Sequence, residues 1–155
     1  MIDAAALVQI QRASYERAGS GLRSAWPEDS AMEAAQLASF LREHHYCVLA
    51  TTTPKGRLQA RPVAFTVLGA SFWFATGAGG RLRNVEQTPW VSFVVADGDR
   101  GSHRAVVVDG DALVVEQPTE ELVAAWNEKH ESAADWAAAW LEVKPARLFS
   151  YQPDR

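Results

Sequence analysis

The middle of the sequence consists of short β-branched and aromatic segments separated by tight turns, and this alternation limits the fold more than any other feature. The uninterrupted apolar run at residues 90–96 predicts a strand that is buried on both faces. Asp109-Gly110 predicts a hairpin turn between two valine-rich runs. Strands joined by such turns pair antiparallel, and about six of them in one small domain favour a small closed barrel. The predicted strands cover residues 46–53, 58–68, 71–76, 90–96, 104–116 and 144–151.

Helical patterns flank these strands. Ser30 and Glu33 have the spacing of a capping box, which predicts a helix beginning at Ser30, and Pro118 suits the first position of another helix. The predicted helices cover residues 2–18, 30–44, 81–87, 118–130 and 133–142, with a loop over 19–29. We expect one domain over residues 1–155, with N-terminal helices over 1–45, barrel strands over 46–116, and helices with a closing strand over 117–155.

Composition argues against several classes of protein. Hydrophobic residues make up 48% of the chain, but no segment approaches the roughly 20 consecutive apolar residues of a membrane span. Asp3 lies where a secretory signal carries positive charge, so a secretory signal is not expected. Cys47 is the single cysteine, so an internal disulfide is impossible, and a cytoplasmic location is expected. Because Cys47 lies in an apolar strand, we predict an unreactive core residue.

Charge is unevenly distributed along the chain. The formal net charge of the full sequence is −4. Residues 51–110, however, contain seven basic residues against four acidic ones, a net of +3. Nucleic-acid binding needs a broad cationic surface, which an acidic chain with one basic stretch does not provide. A local excess of positive charge instead favours the binding of one small anion.

Recognisable catalytic and metal motifs are missing from the sequence. The four histidines lack the spacing of a metal site, and only Cys47 offers a thiolate. There is no Gly-x-Ser-x-Gly motif and no phosphate-binding Gly-x-x-x-x-Gly-Lys loop. We therefore predict no metal site and assign no catalytic residue. His103 is expected to be an exposed residue at the start of a strand, with contact to substrate or cofactor as the alternative.

Two arginines of the basic stretch have unusual positions. Arg61 lies inside an otherwise apolar strand, and Arg81 lies where the glycine-rich residues 77–80 lead into a helical turn. Backbone amides at a helix start, together with converging guanidinium groups, make a good phosphate site. The alternative interpretation is that both side chains face solvent and serve only solubility.

Five short motifs follow one another along the predicted strands and the helical turn between them. They are Leu49-Ala50-Thr51, Pro54-Lys55-Gly56-Arg57, Arg61-Pro62-Val63, Phe74-Ala75-Thr76-Gly77 and the segment 81–92, which begins Arg81-Leu82-Arg83-Asn84. Their order resembles the pyridoxamine 5'-phosphate oxidase-like family, the FMN-binding split β-barrels that include the flavin/deazaflavin oxidoreductases. The resemblance extends over about residues 37–151.

This resemblance implies a mainly β fold with flanking helices, a six-stranded antiparallel Greek-key split β-barrel. It also implies a homodimer that holds a flavin-type cofactor, FMN, at each end of the dimer interface and acts on a small-molecule substrate. Of the matching residues, Arg61 and Arg81 are implied to approach the cofactor phosphate. The implied cofactor-binding set is Arg61, Pro62, Val63, Ala64, Ala75, Thr76, Arg81 and Asn84.

The sequence departs from the family pattern in several places. Gly79-Gly80 replaces a common Ser-Arg pair, which removes two potential phosphate partners. Arg81 replaces a lysine, which keeps the positive charge and adds a guanidinium group that can bind a phosphate through two parallel hydrogen bonds. The C-terminal arginine and histidine with which true pyridoxamine phosphate oxidases hold their substrate have no counterpart, so we do not expect that activity. Residues 101–104 and the valine-rich run after them are more similar to the flavin/deazaflavin branch.

Three functions are compatible with these features. The first is an FMN-dependent oxidoreductase that transfers hydride or electrons to an unknown small molecule. The second replaces FMN with a deazaflavin cofactor, whose phosphodiester and acidic tail would suit Arg57, Arg81 and Arg83. The third is a protein that binds flavin or another small ligand without catalysis.

Tryptophan is abundant for a chain of this size, with six residues. Trp136 and Trp140 are four positions apart and are predicted to share one face of a C-terminal helix, near Trp126. Packing in the core or in a dimer contact is the simpler interpretation of these side chains. The alternative is that one of them lines the cofactor or substrate pocket.

Overall fold

The computed structural model describes residues 1–153, which form a strongly curved antiparallel β-sheet with flanking helices. Among these residues no helix is both long and apolar enough to cross a membrane. The helices are α1 (Ala4–Glu16), α2 (Ser20–Ala25), α3 (Ala34–Glu43), α4 (Gly80–Gln87) and α5 (Glu120–His130), and a 3₁₀ turn (Glu28–Ser30) precedes α3. The strands are β1 (Tyr46–Thr52), β2 (Leu58–Ala64), β3 (Thr66–Leu68), β4 (Ser71–Thr76), β5 (Trp90–Asp99), β6 (Ser102–Val115), β7 (Ala139–Val143) and β8 (Arg147–Tyr151).

The long strand β6 joins the two halves of the sheet. Its residues 102–111 pair with β5 and residues 105–109 also pair with β8, whereas residues 112–115 pair with β7. The strand order is β2-β1-β5-β6-β7-β4-β3, and β8 pairs with β6 outside this path. The sheet therefore curls into two connected halves, which confirms the predicted split barrel. It has eight strands in place of the predicted six.

The predicted hairpin turn at Asp109-Gly110 is wrong, because both residues lie inside β6. The chain turns earlier, where Asp99 of β5 pairs with Ser102 of β6. At Gly110 the strand runs against the corner between β7 and β8, and a Cβ there would lie 2.9 Å from the carbonyl oxygen of Lys144. This glycine therefore serves a close approach of two backbone segments and not a turn.

The single strand predicted over residues 58–68 is divided into β2 and β3. Phe65 separates them; its side chain is fully buried, and its N–H donates to the carbonyl oxygen of His45 at 3.2 Å. Ala64 still pairs with β1, whereas Thr66 already pairs with β4. The break is thus the corner at which the chain passes from one half of the barrel to the other.

The predicted helix over residues 133–142 is also wrong, because the end of this segment forms β7. The described part of the predicted C-terminal region, residues 117–153, contains two strands instead of one closing strand. Trp140 lies in β7 and packs edge-on against Trp126 of α5, with ring centroids 5.1 Å apart. Trp136 lies in the preceding loop and is 62% exposed, so the two tryptophans do not share a helix face. Local alanine content favours a helix here, but pairing with β4 and β6 decides the conformation.

The beginnings of two helices differ from the prediction. Glu33 and Gln36 form the capping box of α3, so the helix begins beyond the predicted Ser30. The hydroxyl of Thr119 caps α5, and Pro118 lies before the cap. The predicted N-terminal loop contains the short helix α2. In α3 and α5 a nearby residue satisfies the free amides of the first turn in place of the predicted one.

Alternate residues of the strands face a common apolar interior. Phe72, Phe74 and Phe93 meet there, with ring centroids 5.0 Å and 5.2 Å apart in the two contacting pairs. In β5, Phe93 faces inward whereas Trp90 is 47% exposed, so the predicted burial of this strand on both faces is wrong for the single chain. Helix α1 covers β8, where Tyr15 packs edge-on against Phe149.

One apolar surface is left uncovered by the helices. We call it the outer face; it lies on the opposite side of β1, β2 and β5 from the interior. Val48 pairs with both Pro62 and Val94, which places all three side chains on this surface. Its most exposed apolar members are Tyr46 (67%), Val48 (43%), Leu58 (79%) and Trp90 (47%).

Candidate functional site

Arg61 lies on β2, at the edge of the sheet, directly opposite Leu49 of β1. Directly paired residues of antiparallel strands share a face, so the Arg61 side chain starts on the interior side. The edge position leaves it exposed, and its guanidinium donates to the carbonyl oxygen of Ala60 at 3.0 Å. No ion pair within residues 1–153 involves Arg61. The side chain is therefore a cation with no carboxylate partner in this part of the chain.

Arg81 brings a second guanidinium group to the same region. It lies in the first turn of α4 and is half-buried. Burial is the main cause of the lowered pKa of Arg81; Cys47 opposes this shift, and the positive charge of Arg61 adds to it. Across the described residues, Arg81 also has no carboxylate in ion-pair contact. Two neighbouring cations without an acidic partner favour the approach of an anion.

The beginning of α4 adds backbone donors to these two cations. Gly79 is the N-cap residue and gives no side-chain hydrogen bond to the first turn. The first backbone hydrogen bond at this end runs from the N–H of Arg83 to the carbonyl oxygen of Gly79. Space beside Gly79 and Gly80 is open, with nothing within 4 Å of where a Cβ would lie. Amides at an uncapped helix start favour anions, so this geometry fits a phosphate group.

Asn84, which belongs to the predicted cofactor-binding set, lies inside the protein. Its side chain is 3% exposed, and its amide nitrogen donates to Thr51 Oγ1 and to Gln59 Oε1, each at 3.0 Å. Both side-chain N–H groups are thus used within the protein. Asn84 fixes α4 to β1 and β2, which holds Arg81 on the same side of the sheet as Arg61.

The end of β4 leads directly into the loop before α4. Ala75 and Thr76 are both buried, at 4% and 1% exposure. The Thr76 hydroxyl donates to the carbonyl oxygen of Gly77, and the Thr76 carbonyl accepts a hydrogen bond from the N–H of Ala138 at 2.9 Å. These contacts fix the strand end and the glycine loop, but in the single chain neither side chain is presented to solvent.

The other three predicted cofactor-binding residues do not share one face. Val63 pairs with Cys47 and is part of the core, whereas Pro62 lies on the outer face. Ala64 pairs with Tyr46 and is half-buried against the smaller apolar cluster around Trp126. The structure therefore brings Arg61, Arg81 and the start of α4 together, and it leaves Pro62 to Ala64 as the strand beside them.

Sequence reasoning missed the partners that organise this region. Thr51 and Gln59 receive the hydrogen bonds of Asn84, and Ala138 holds the end of β4. Thr51 belongs to the motif Leu49-Ala50-Thr51, but nothing in its local pattern indicates the contact with Asn84. Gln59 lies opposite Thr51 in the register of β1 and β2. A polar residue on the interior side of a strand needs a hydrogen-bond partner, and this is the one sequence feature that points to the contact with Asn84.

Several other polar and titratable groups within residues 1–153 have contacts that account for them. Asp97 binds His44 and Arg104, and the hydrogen bond from Arg104 is the main cause of its lowered pKa. His103 is exposed at the start of β6 and stacks on Tyr151, with centroids 5.1 Å apart. Burial raises the pKa of the Cys47 thiol to about 12, which agrees with an unreactive core residue. Within residues 1–153 no cluster of histidine, cysteine or carboxylate side chains could hold a metal ion.

Comparison with known families gives one match. A family model described as pyridoxamine 5'-phosphate oxidase matches residues 34–155, which is most of the chain. The matched segment begins at α3 and includes all the predicted cofactor-binding residues. No curated protein matches the sequence.

Several solved structures share the fold. A FAD-binding protein from Mesorhizobium loti is 17% identical, with a TM-score of 0.65 over 81% of this chain and 96% of the other. The heme storage protein HutZ from Vibrio cholerae is 17% identical, with a TM-score of 0.62 over 76% and 93%. A structure described as F420 reductase is 25% identical, with a TM-score of 0.58 over 71% and 93%.

Proposed function

Because the chain belongs to the pyridoxamine 5'-phosphate oxidase family, we propose that it binds a phosphate-bearing flavin-type cofactor, FMN in the first instance. We further propose that it uses this cofactor to transfer hydride or electrons to a small molecule. The observation that carries the proposal is the pair of guanidinium groups, Arg61 and Arg81, beside the uncapped start of α4. When bound, such a cofactor supplies the redox chemistry, and the protein supplies binding and orientation.

Each part of the site has a separate task in this proposal. Arg61 and Arg81 neutralise the phosphate charge through charge-assisted hydrogen bonds. The first-turn amides of α4 add donors at the same place, since Gly79 and Gly80 leave room for close approach. Asn84 acts as a positioning residue, because its bonds to Thr51 and Gln59 fix α4 against the sheet.

The absorbance spectrum of the purified protein, followed by calorimetric titration with FMN, tests this proposal. We expect a yellow protein, or a colourless one that takes up FMN at one site per chain. A protein that shows a heme spectrum, or that binds no flavin-type cofactor, would contradict it. Turnover of the bound cofactor with a reductant and an electron acceptor separates an oxidoreductase from a protein that only binds flavin.

A deazaflavin cofactor is the second candidate. The 25% identity with the F420 reductase supports it. Two further exposed arginines also support it: Arg57 lies four residues before Arg61, and Arg83 lies two residues after Arg81. Those side chains would meet the acidic tail that FMN lacks. Parallel titrations with FMN and with F420 distinguish the candidates: tighter binding of F420, reduced by removal of Arg57 and Arg83 together, would favour the second.

We also propose that two copies of the chain associate through the outer face. An uncovered apolar surface with Tyr46 at 67% and Leu58 at 79% exposure supports an interface between subunits. Pro62 lies on this surface directly beside Arg61, so the proposed cofactor site adjoins the proposed interface.

Substitution of Val48 with lysine at the centre of the outer face tests this association. We expect wild-type protein to elute as a dimer in size-exclusion chromatography with light scattering and Val48→Lys as a monomer, since an unpaired charge buried in an apolar contact is costly. Val123→Lys, at an exposed apolar residue of α5, is the matched control and stays dimeric. A monomeric wild-type protein, or a Val48→Lys variant that remains dimeric, would refute the interface.

A further inference from the structure

A second region of the chain has the properties of a ligand site. A cavity of about 740 Å³ lies between α3, β3, α5 and the N-terminal residues, a volume within the usual range for small-molecule pockets. None of the predicted cofactor-binding residues lines it. Its apolar wall is formed by Ile2, Ala38, Leu41, Val67 and Ala125.

Lys129 lines this cavity with an amine that is incompletely satisfied. Its Nζ donates to the carbonyl oxygen of Leu41 at 3.0 Å and lies 3.8 Å from the centroid of the Phe65 ring. No carboxylate in the described part of the chain forms an ion pair with it. An ammonium group has three N–H donors, and among the described residues the Leu41 carbonyl is the one oxygen that accepts from Nζ, so a ligand oxygen has a donor available. Burial lowers the pKa of Lys129 to about 8, which reflects the cost of the unpaired charge.

The other charged groups around the cavity leave it with an excess of positive charge. Arg42 lines it together with Lys129, against the single carboxylate of Glu128. A bound anion would offset the cost of burying the Lys129 ammonium. The apolar wall, in turn, favours a ligand whose remaining atoms are hydrocarbon.

We propose that this cavity binds an amphipathic carboxylate, whose apolar part packs against the wall and whose carboxylate accepts hydrogen bonds from the amine of Lys129. The cavity size, the apolar wall and the unpaired amine each support this ligand class. The inference is independent of the proposed flavin site, because it uses none of the same residues.

Decanoate, below the concentration at which it forms micelles, is the probe for this site, and 1-decanol is its uncharged counterpart. In calorimetric titration at neutral pH, we expect wild-type protein to bind decanoate saturably and more tightly than 1-decanol. Lys129→Met keeps the side-chain volume but removes the charge, so its affinity for decanoate falls about tenfold while its affinity for 1-decanol is retained. Lys55→Met, at an exposed lysine in the turn after β1, is the matched control and leaves both affinities unchanged.

Three results would overturn the proposal. The first is the absence of saturable decanoate binding to wild-type protein. The second is equal decanoate affinity in wild type and Lys129→Met, which would show that the amine does not contact the carboxylate. The third is an equal loss of decanoate and 1-decanol binding in Lys129→Met, which would attribute the effect to the shape of the cavity and not to charge.

Discussion

The double variant Arg61→Ala/Arg81→Ala is expected to bind FMN at least about 100-fold more weakly than the wild-type protein. Each arginine supplies charge-assisted hydrogen bonds to the proposed phosphate, and such a bond contributes about 1.5–3 kcal/mol. A 100-fold change corresponds to about 2.7 kcal/mol, which is within the combined contribution of the two side chains. Each single variant should lose about tenfold in affinity.

Calorimetric titration at one fixed salt concentration measures this effect, because added salt screens exposed charges. Arg12→Ala/Arg100→Ala is the matched control: it removes the same charge from two exposed positions outside the site and should bind FMN as wild type does. Thermal unfolding of the Arg12→Ala/Arg100→Ala control should be nearly unchanged, within about 0.5 kcal/mol, because substitutions at exposed positions have small effects. FMN affinity that is unchanged in Arg61→Ala/Arg81→Ala would place the phosphate elsewhere.

The second large effect concerns the fold. We expect Gly110→Val to lower the free energy of unfolding by about 3 kcal/mol, because its side chain would meet the close backbone corner after β7. The Cβ position is 2.9 Å from the carbonyl oxygen of Lys144 and 3.3 Å from the amide nitrogen of Ala146, and neither backbone atom can move aside like a flexible side chain.

Urea denaturation measures this loss as a lower midpoint at unchanged slope. Gly21→Val is the matched control, since nothing lies within 4 Å of the Cβ position of Gly21, and its stability should stay within about 0.5 kcal/mol of wild type. A Gly110→Val variant as stable as wild type would contradict the continuous strand β6.

Much of the architecture could be predicted from local patterns. Strand segments such as β1 and β4 are rich in β-branched and aromatic residues and are followed by turn residues, which is enough to indicate antiparallel pairing in a small barrel. The order of the motifs then identified the family that the match over residues 34–155 shows. These signals are local, so they need no knowledge of which strands are neighbours.

The failures occurred where tertiary contacts decide the conformation. Asp109-Gly110 is a strong local turn signal, but the glycine is needed for the approach to Lys144. The alanine-rich segment before Trp140 favours a helix, yet pairing with β4 and β6 makes it a strand. Local helix or strand propensity is a weak guide for a segment as short as β7, whose five residues pair with a strand on each side.

The site was predicted in part for the same reason. Arg61 stands out in the sequence because an arginine inside an apolar strand is unusual, and Arg81 stands out because it follows a glycine-rich loop. Their closeness depends on the register of β2 against β1 and on the bonds from Asn84 that fix α4 to both strands. Pairing between distant strands and a buried amide network has no local sequence signature, so the role of Asn84 as an internal tie could not be foreseen.

The comparison of FMN with riboflavin tests the central claim most directly, because the two molecules share the ring and the ribityl chain and differ in the phosphate. Side-by-side calorimetric titration of the wild-type protein should show FMN binding at least about 100-fold more tightly than riboflavin, as expected for two arginines and a helix start at the phosphate. The same preference should disappear in Arg61→Ala/Arg81→Ala. Equal affinity of the wild-type protein for FMN and riboflavin would contradict the assignment of Arg61, Arg81 and the start of α4 as a phosphate site.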